Sequence, residues 1–384
     1  MSDDDRLGDG GAVVEAEAPP ADPTIAQRYR RYSRKDSFVV VTTAIALVFF
    51  PFLLVDVLGA VGGIIGLSIG GYTGLPSLVL IYGIVVVGFN LLLGYTGLLS
   101  FGHAAFFGTA AYSAAIFSTL FPSPVVMVLV GTLVALVIAW PIGYVSIRRS
   151  GVYFAVLTLT FGQMLYFYAL GPGAWLTNGD NGYSNIVIDG LFGVGAVPLE
   201  LSVPLLGTMT YVFVAVLTVA AVALANRIVH SPYGLIFKAL GENEQRVSFV
   251  GLNVFRYKHM AFIISAGYAG AGGALFVIHE TYIHPTTGLY WITSGDFVIM
   301  TVLGGTGSLV GPMLGALIFE YISNVISGLS LPLIGSIGSL WRLILGAVFV
   351  FVVWVFPRGV YGALEDLGTA VLEQLDGEDG GEDS

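Results

Sequence analysis

Apolar runs of about 20 residues recur along this chain, separated by polar or glycine-rich turns. Ten can be marked: 38–58, 78–98, 100–119, 124–146, 152–170, 208–228, 259–280, 291–306, 308–328 and 339–356. A run of that length crosses the hydrocarbon core of a bilayer as a helix. The strands of a membrane barrel would alternate apolar and polar residues over about ten positions. Here the runs are continuous, so they predict helices. The fold class expected is all-α, a polytopic transmembrane helical bundle of about ten membrane segments.

Composition agrees with the pattern. The chain has 384 residues, 56% of them hydrophobic and only 10% charged. Soluble domains carry about 25% charged residues, so a soluble globule is excluded. Cysteine is absent, which removes a disulfide framework, a thiolate nucleophile and Cys-ligated metal.

Charge divides the chain into three parts. Residues 1–36 hold eight acids and six bases, 359–384 hold eight acids and no base, and 37–358 hold nine of each. The net charge of −10 therefore belongs to the ends. The expected domains are an acidic and basic N-terminal tail at 1–36, a transmembrane domain at 37–358 and an acidic tail at 359–384. Such glycine-rich acidic ends cannot bury a core and are expected to be disordered. The first apolar run is too long for a signal-peptide core and is expected to stay as an anchor. With a neutral body between acidic ends, membrane lipid is an expected partner and nucleic acid is not.

Basic residues also give an orientation. Arg28, Arg30, Arg31, Arg34 and Lys35 precede the first run, Arg148 and Arg149 follow the fourth, and Arg227, Lys238, Arg246, Arg256 and Lys258 lie between the sixth and seventh. The intervening stretches 59–77, 171–207, 281–290 and 329–338 contain no Lys or Arg. This places both termini and the 230–258 loop in the cytoplasm of a multi-pass plasma-membrane protein. Arg342, near the outer end of the last run, is the exception and either snorkels outward or faces a polar cavity. No base occurs between 37 and 147, so charge fixes only an even number of crossings there. A re-entrant piece at 59–76 or 94–108 remains an alternative.

One internal likeness is visible. LGYTGLL at 93–99 matches LGGTGSL at 303–309, each copy at the end of one apolar run and the start of the next. Transporters are often built from repeats that bind substrate near interrupted helices. Chance similarity of glycine-rich turns, in a chain with 52 Gly, is the competing reading.

The loop at 230–258 is the longest internal polar stretch. A Ser231-Pro232 turn opens it, and 242–250 can form a short amphipathic helix with Val247 and Val250 on one face. Glu242, Asn243, Glu244 and Arg246 offer polar contacts, and Gly251 can end the helix at positive φ. Such a helix suits docking into a soluble partner's groove; an ordinary solvated connection is the competing reading.

Polar groups inside apolar runs are functional candidates because burying them in lipid costs several kcal/mol. Asn90, Thr96, Ser100 and His103 cluster near a glycine-rich junction; Gln163 lies in the fifth segment and Asp296 in the eighth. Asp56, Glu280 and Glu320 also fall in or near apolar runs. They suggest a translocation pathway in which helix N-termini attract a carboxylate and acids attract an ammonium. Interhelical hydrogen bonding is the competing reading for each residue. No His or carboxylate cluster indicates a metal, and no paired acids or Ser/His set supports an intramembrane enzyme.

Four stretches resemble the permease family of branched-chain amino acid ABC transporters, LivM-type subunit. They are NLLLGYTGLLSFGHAAFFG at 90–108, GVYFAVLTLTFGQ at 151–163, 231–266 with its GENE, GLNV, RYK and AFIISA pieces, and VLGGTGSLVGP at 302–312. The resemblance covers roughly 78–358 and leaves out both tails and the glycine-rich insertion at 59–77. It implies a sister permease of LivH type, two cytoplasmic ATPase subunits and an extracellular solute-binding protein. It also implies that Glu242, Asn243, Glu244, Arg246 and Gly251 belong to an ATPase-coupling segment. The chain has no G-x-x-x-x-G-K-[ST] loop, and none of Lys35, Lys238 and Lys258 follows such a pattern. It is therefore expected to be a non-catalytic transport subunit without a cofactor of its own, with ATP and Mg on the partner ATPases. A urea or short-amide permease of the same architecture is one alternative. An ion-coupled secondary transporter, with Asp56 or Asp296 as coupling site, is the other.

Overall fold

The computed structural model describes residues 36–57, 60, 72–193, 197–203, 207–328, 330–331, 335–336 and 340–367. The N-terminal tail, most of the 59–76 run and residues 368–384 lie outside the described residues. The helices, in chain order, are α1 (Asp36–Pro51), continued by a π-helical turn at Phe52–Val57, α2 (Leu75–Thr96), α3 (His103–Ser118) and α4 (Pro124–Ser146). Next come α5 (Val152–Leu170), α6 (Met209–Val229), α7 (Pro232–Glu242), α8 (Glu244–Phe249) and α9 (Val254–Glu280). The last are α10 (Trp291–Gly304), α11 (Gly311–Gly328), α12 (Trp341–Val355) and α13 (Gly359–Leu367). Two antiparallel two-residue ladders close loops, Ser202–Val203 with Gly207–Thr208 and Ser330–Leu331 with Gly335–Ser336.

Each of the ten apolar runs contains a helix, but not every one of these helices is long and apolar enough to cross a bilayer by itself. Among the described residues six helices are long and apolar enough to span a bilayer alone. A seventh results if α12 and α13, bent by 46° at their junction, form one broken span. The physical reason is length. With 16 residues, α3 reaches about 24 Å, and α10, with 14, about 21 Å, at 1.5 Å per residue. The hydrocarbon core is about 30 Å thick. The helix α11 has 18 residues but is diluted by Glu320, Ser323, Asn324 and Ser327. The first part of the acidic C-terminal stretch, Gly359–Leu367, is helical.

The bundle is built around two helices. In α2 and α9, 78% of the apolar span is buried, against 17% in α1 and 28% in α4. The helix α9 packs against α2, α3 and α4 together. Its sequence allows this, since Ala266 to Ala274 is almost entirely Ala and Gly. Without Cβ atoms backbones approach closely, which is how helices associate where lipid removes the hydrophobic drive. A Cβ at Gly270 would lie 3.3 Å from Thr132 Cα of α4, and one at Gly273 would collide with the Phe107 carbonyl of α3. Gly273→Val is therefore expected to lower the stability of the detergent-purified chain by about 3 kcal/mol. Gly346→Ala, where nothing lies within 4 Å, should leave the melting temperature unchanged; equal melting of both variants would contradict this packing.

Candidate functional site: a broken-helix junction, a cavity and a polar hinge

The two LGxTGxL copies share one local device. The first ends α2 and the second ends α10, and their fifth positions, Gly97 and Gly307, have φ of 71° and 83°. That left-handed conformation costs glycine little, and at Gly97 the backbone N–H closes onto the carbonyls of Leu92 and Leu93. After each break the chain runs non-helically before α3 and α11 begin.

The two breaks also meet. Asn90 Nδ2 donates to the Ser308 carbonyl at 2.7 Å, and the Gly307 N–H donates to Asn90 Oδ1 at 3.0 Å. One buried amide thus satisfies a backbone donor and a backbone acceptor of the other break. Gly94 allows the approach, because a Cβ there would sit 2.6 Å from Gly307 N.

The other junction residues have separate positions. Thr96 bonds back to the Leu92 carbonyl at 2.6 Å within its own helix. Ser100 Oγ accepts from the Gly102 N–H at 3.3 Å inside the break. His103 Nε2 lies 2.8 Å from Ser265 Oγ on α9, and its ring meets Phe89, Phe106 and Phe262 edge-on. Next to it, the Ala104 N–H donates to Ser294 Oγ of α10 at 2.8 Å. Gln163 follows Gly162, whose Cβ position is 3.5 Å from Gly102 Cα. The contacts of Asn90, His103, Ala104 and Gly162 bring α2, α3, α5, α9 and α10 together around the break, whereas those of Thr96 and Ser100 are local.

Asp296 belongs elsewhere. It lines a cavity of about 410 Å³ near the 281–290 end of the bundle, together with Tyr82, Tyr290, Phe319, Glu320, Trp341 and Arg342. Met300 also lines it, one turn above the break at the end of α10. Below Met300 the backbones of α10 and α11 touch, with Gly315 packed against the Met300 carbonyl and Gly304 N. At the same end, Tyr183 and Ile283 pair through both backbone bonds, at 2.8 and 3.0 Å, and tie the 171–207 loop to the 281–290 loop. His284 Nε2 adds a 2.9 Å bond to the Asp180 carbonyl. Glu320 and Arg342 were legible only as anomalies, an acid in an apolar run and a base on the wrong side; Tyr82 gave no signal.

The polar segment sits at the opposite end of α9, about 40 Å away for 27 residues. Here α7 lies against the first break, with a Cβ position at Gly97 3.7 Å from Gly241 Cα. Asn243 separates α7 from α8 and caps α8, its Oδ1 accepting from the N–H groups of Gln245 and Arg246 at 3.0 and 3.1 Å. Capping by Asn is worth about 1 kcal/mol. Glu242 ends α7, so the helix expected at 242–250 is in fact 244–249. Val247 is buried, but Val250 lies beyond the helix and is 79% exposed beside Phe249 at 87%. The expected shared face of Val247 and Val250 does not form, because the helix has already ended. Glu242 and Arg246 are exposed. Glu244 instead pairs with Lys258, whose side chain is only 4% exposed. Gly251, at φ 85°, faces open space.

Comparison with known proteins follows this frame. The model of the family described as branched-chain amino acid transport system, permease component, matches residues 71–353. The high-affinity branched-chain amino acid transport system permease protein LivM of Escherichia coli K12 is 27% identical over 314 residues, covering 76% of this chain and 70% of the relative. The corresponding protein LivH of Salmonella typhimurium is 25% identical, covering 74% and 92%. A nucleoside ABC transporter permease protein, NupC of Lactococcus lactis, is 24% identical over 56% of this chain and 66% of its own length. No solved structure matches the chain. The matched region runs from just before α2 to near the end of α12 and contains both broken junctions, the cavity and the polar segment, so the chain belongs to the family of permease components of branched-chain amino acid transport systems.

Proposed function

We propose that this chain forms one half of the membrane pathway of an ATP-driven importer and passes leucine, isoleucine and valine inward by alternating access. The observation that carries the reading is the family match across 71–353. The geometry supports it with a cavity at one end of the bundle, close backbone contact between α10 and α11 beside the second break, and an exposed apolar tip at the other end.

In this reading the 230–258 end, the N-terminus and the C-terminus are cytoplasmic. Phe249 and Val250 enter a groove of an ATPase subunit, with Glu242, Arg246 and Gly251 around them. Asn243 and Glu244 hold the segment in place. Movement there reaches the first break directly, because α7 rests on Gly97. ATP and Mg are handled by two such ATPases. A LivH-type sister permease completes the pathway, and an extracellular binding protein delivers substrate to the braced loops at 171–207 and 281–290. The division of labour is supported by the missing phosphate loop.

Likeness to a nucleoside permease makes cargo the point to test. Cells lacking this chain are expected to lose saturable uptake of radiolabelled leucine. Excess isoleucine or valine should compete with it, and excess urea, acetamide or uridine should not. Loss of urea or nucleoside uptake with leucine uptake intact would overturn the cargo assignment. Uptake unaffected by depletion of ATP but abolished by collapse of the ion gradient would favour the ion-coupled alternative.

A further inference from the structure

The cavity near the 281–290 end holds a combination of groups that packing alone does not explain. Two carboxylates, Asp296 on α10 and Glu320 on α11, and the guanidinium of Arg342 on α12 line one space. Among the described residues neither carboxylate has a cationic partner within 4.0 Å. Arg342 lies over the Trp341 ring at 5.0 Å and lines the same space as both carboxylates. Charges so placed within apolar helices are costly and default to function. Both signs are present, so a lone cation or anion would meet a like charge as well as an opposite one. The neutral wall is aromatic and aliphatic, with Phe319, Trp341 and Met300. A volume of about 410 Å³ falls in the range of roughly 300–1,000 Å³ that small-molecule sites occupy.

We propose that this cavity is a substrate subsite for a free α-amino acid: Glu320, with Asp296, takes the ammonium, Arg342 takes the carboxylate, and Phe319 and Trp341 receive the aliphatic side chain. The proposal rests on the permease reading and adds to it a discriminating site inside the membrane subunit. Substrate released from a binding protein is then checked again at the level of Met300, above the junction closed by Asn90. An arginine suits the carboxylate because its planar fork matches two oxygens. The two acids come from different helices, so bound ammonium draws α10 and α11 together directly above their broken junction.

The test uses the complete permease and ATPase complex in lipid nanodiscs without the binding protein, with equilibrium binding of radiolabelled leucine. The wild-type complex should bind leucine saturably. Leucinamide, which lacks the carboxylate, and 4-methylpentanoate, which lacks the ammonium, should compete at least about tenfold less well than leucine. Glu320→Gln should weaken leucine binding by about tenfold or more and erase the preference over 4-methylpentanoate. Arg342→Gln should erase the preference over leucinamide. Competition by either analogue as strong as that by leucine itself on the wild-type complex overturns the proposal without reliance on any variant. So does a well-folded Glu320→Gln complex with wild-type affinity and preference. ATP-driven uptake by the same complex in liposomes supplied with the binding protein, with no direct leucine binding in nanodiscs, removes the subsite and leaves the permease reading intact. Absence of uptake by the complete set removes both.

Discussion

Asn90→Leu is expected to destabilise the transporter and stop transport, although the two side chains are close in size. The change deletes both bonds between the broken junctions, to the Ser308 carbonyl and from the Gly307 N–H. Each backbone group left buried without a partner costs about 1–3 kcal/mol, so a loss of about 2–4 kcal/mol follows. A factor of ten in a conformational equilibrium needs only about 1.4 kcal/mol, and uptake should fall at least that far. Asn90→Asp keeps an acceptor for Gly307 but has no donor for Ser308, and should fall between the two. Melting temperature and leucine uptake, measured on the same preparations, check the order. Wild-type melting in Asn90→Leu would mean that the amide does not join the junctions.

The second large effect is expected at Glu244. Reversing its charge with Glu244→Lys sets a second ammonium against Lys258, which is 4% exposed and has Glu244 as its partner. Breaking a buried pair by removing one partner costs about 3–5 kcal/mol. Glu244 itself is 43% exposed, so solvent screens part of this and about 2–3 kcal/mol is expected. The cytoplasmic segment should detach from α9, visible as faster hydrogen exchange over 243–252 and lost ATPase association. Phe249→Ser with Val250→Ser gives the contrast. Those side chains are exposed and hold nothing within the chain, so melting should stay unchanged while ATPase association weakens. Glu242→Lys should behave like that pair. If Glu244→Lys keeps the wild-type exchange pattern, its ion pair is not what fixes the segment.

These two residues show where sequence and structure part. Both were legible as candidates, one as a polar group in an apolar run and one as an acid in a polar loop. Their partners were not, because Ser308 lies 218 positions from Asn90 and only tertiary packing brings it near. The helices themselves were marked within about five residues, because apolar runs end where water begins. Hydropathy does not report where hydrogen bonding breaks inside such a run. Gly97 and Gly305 leave the helical region while their neighbours stay apolar, so α2 and α10 each stop two residues short of the end of the run that contains them. Periodicity likewise failed at Val250, which caps the short α8 and is exposed, while Val247 three positions earlier is buried. Arg342 is the opposite case. The charge map marked it as an exception, and the structure turns the exception into one wall of the cavity.

The central claim is that this chain is a gate worked by ATP hydrolysis on other polypeptides, and reconstitution tests it most directly. The purified chain should be placed in liposomes alone, and then with its sister permease, both ATPases and binding protein, with radiolabelled leucine outside the binding-protein face. The expected result is no uptake by the chain alone, with or without an ion gradient, and uptake by the full set only when ATP is supplied to the ATPases. Gradient-driven leucine uptake by the lone chain would contradict the claim.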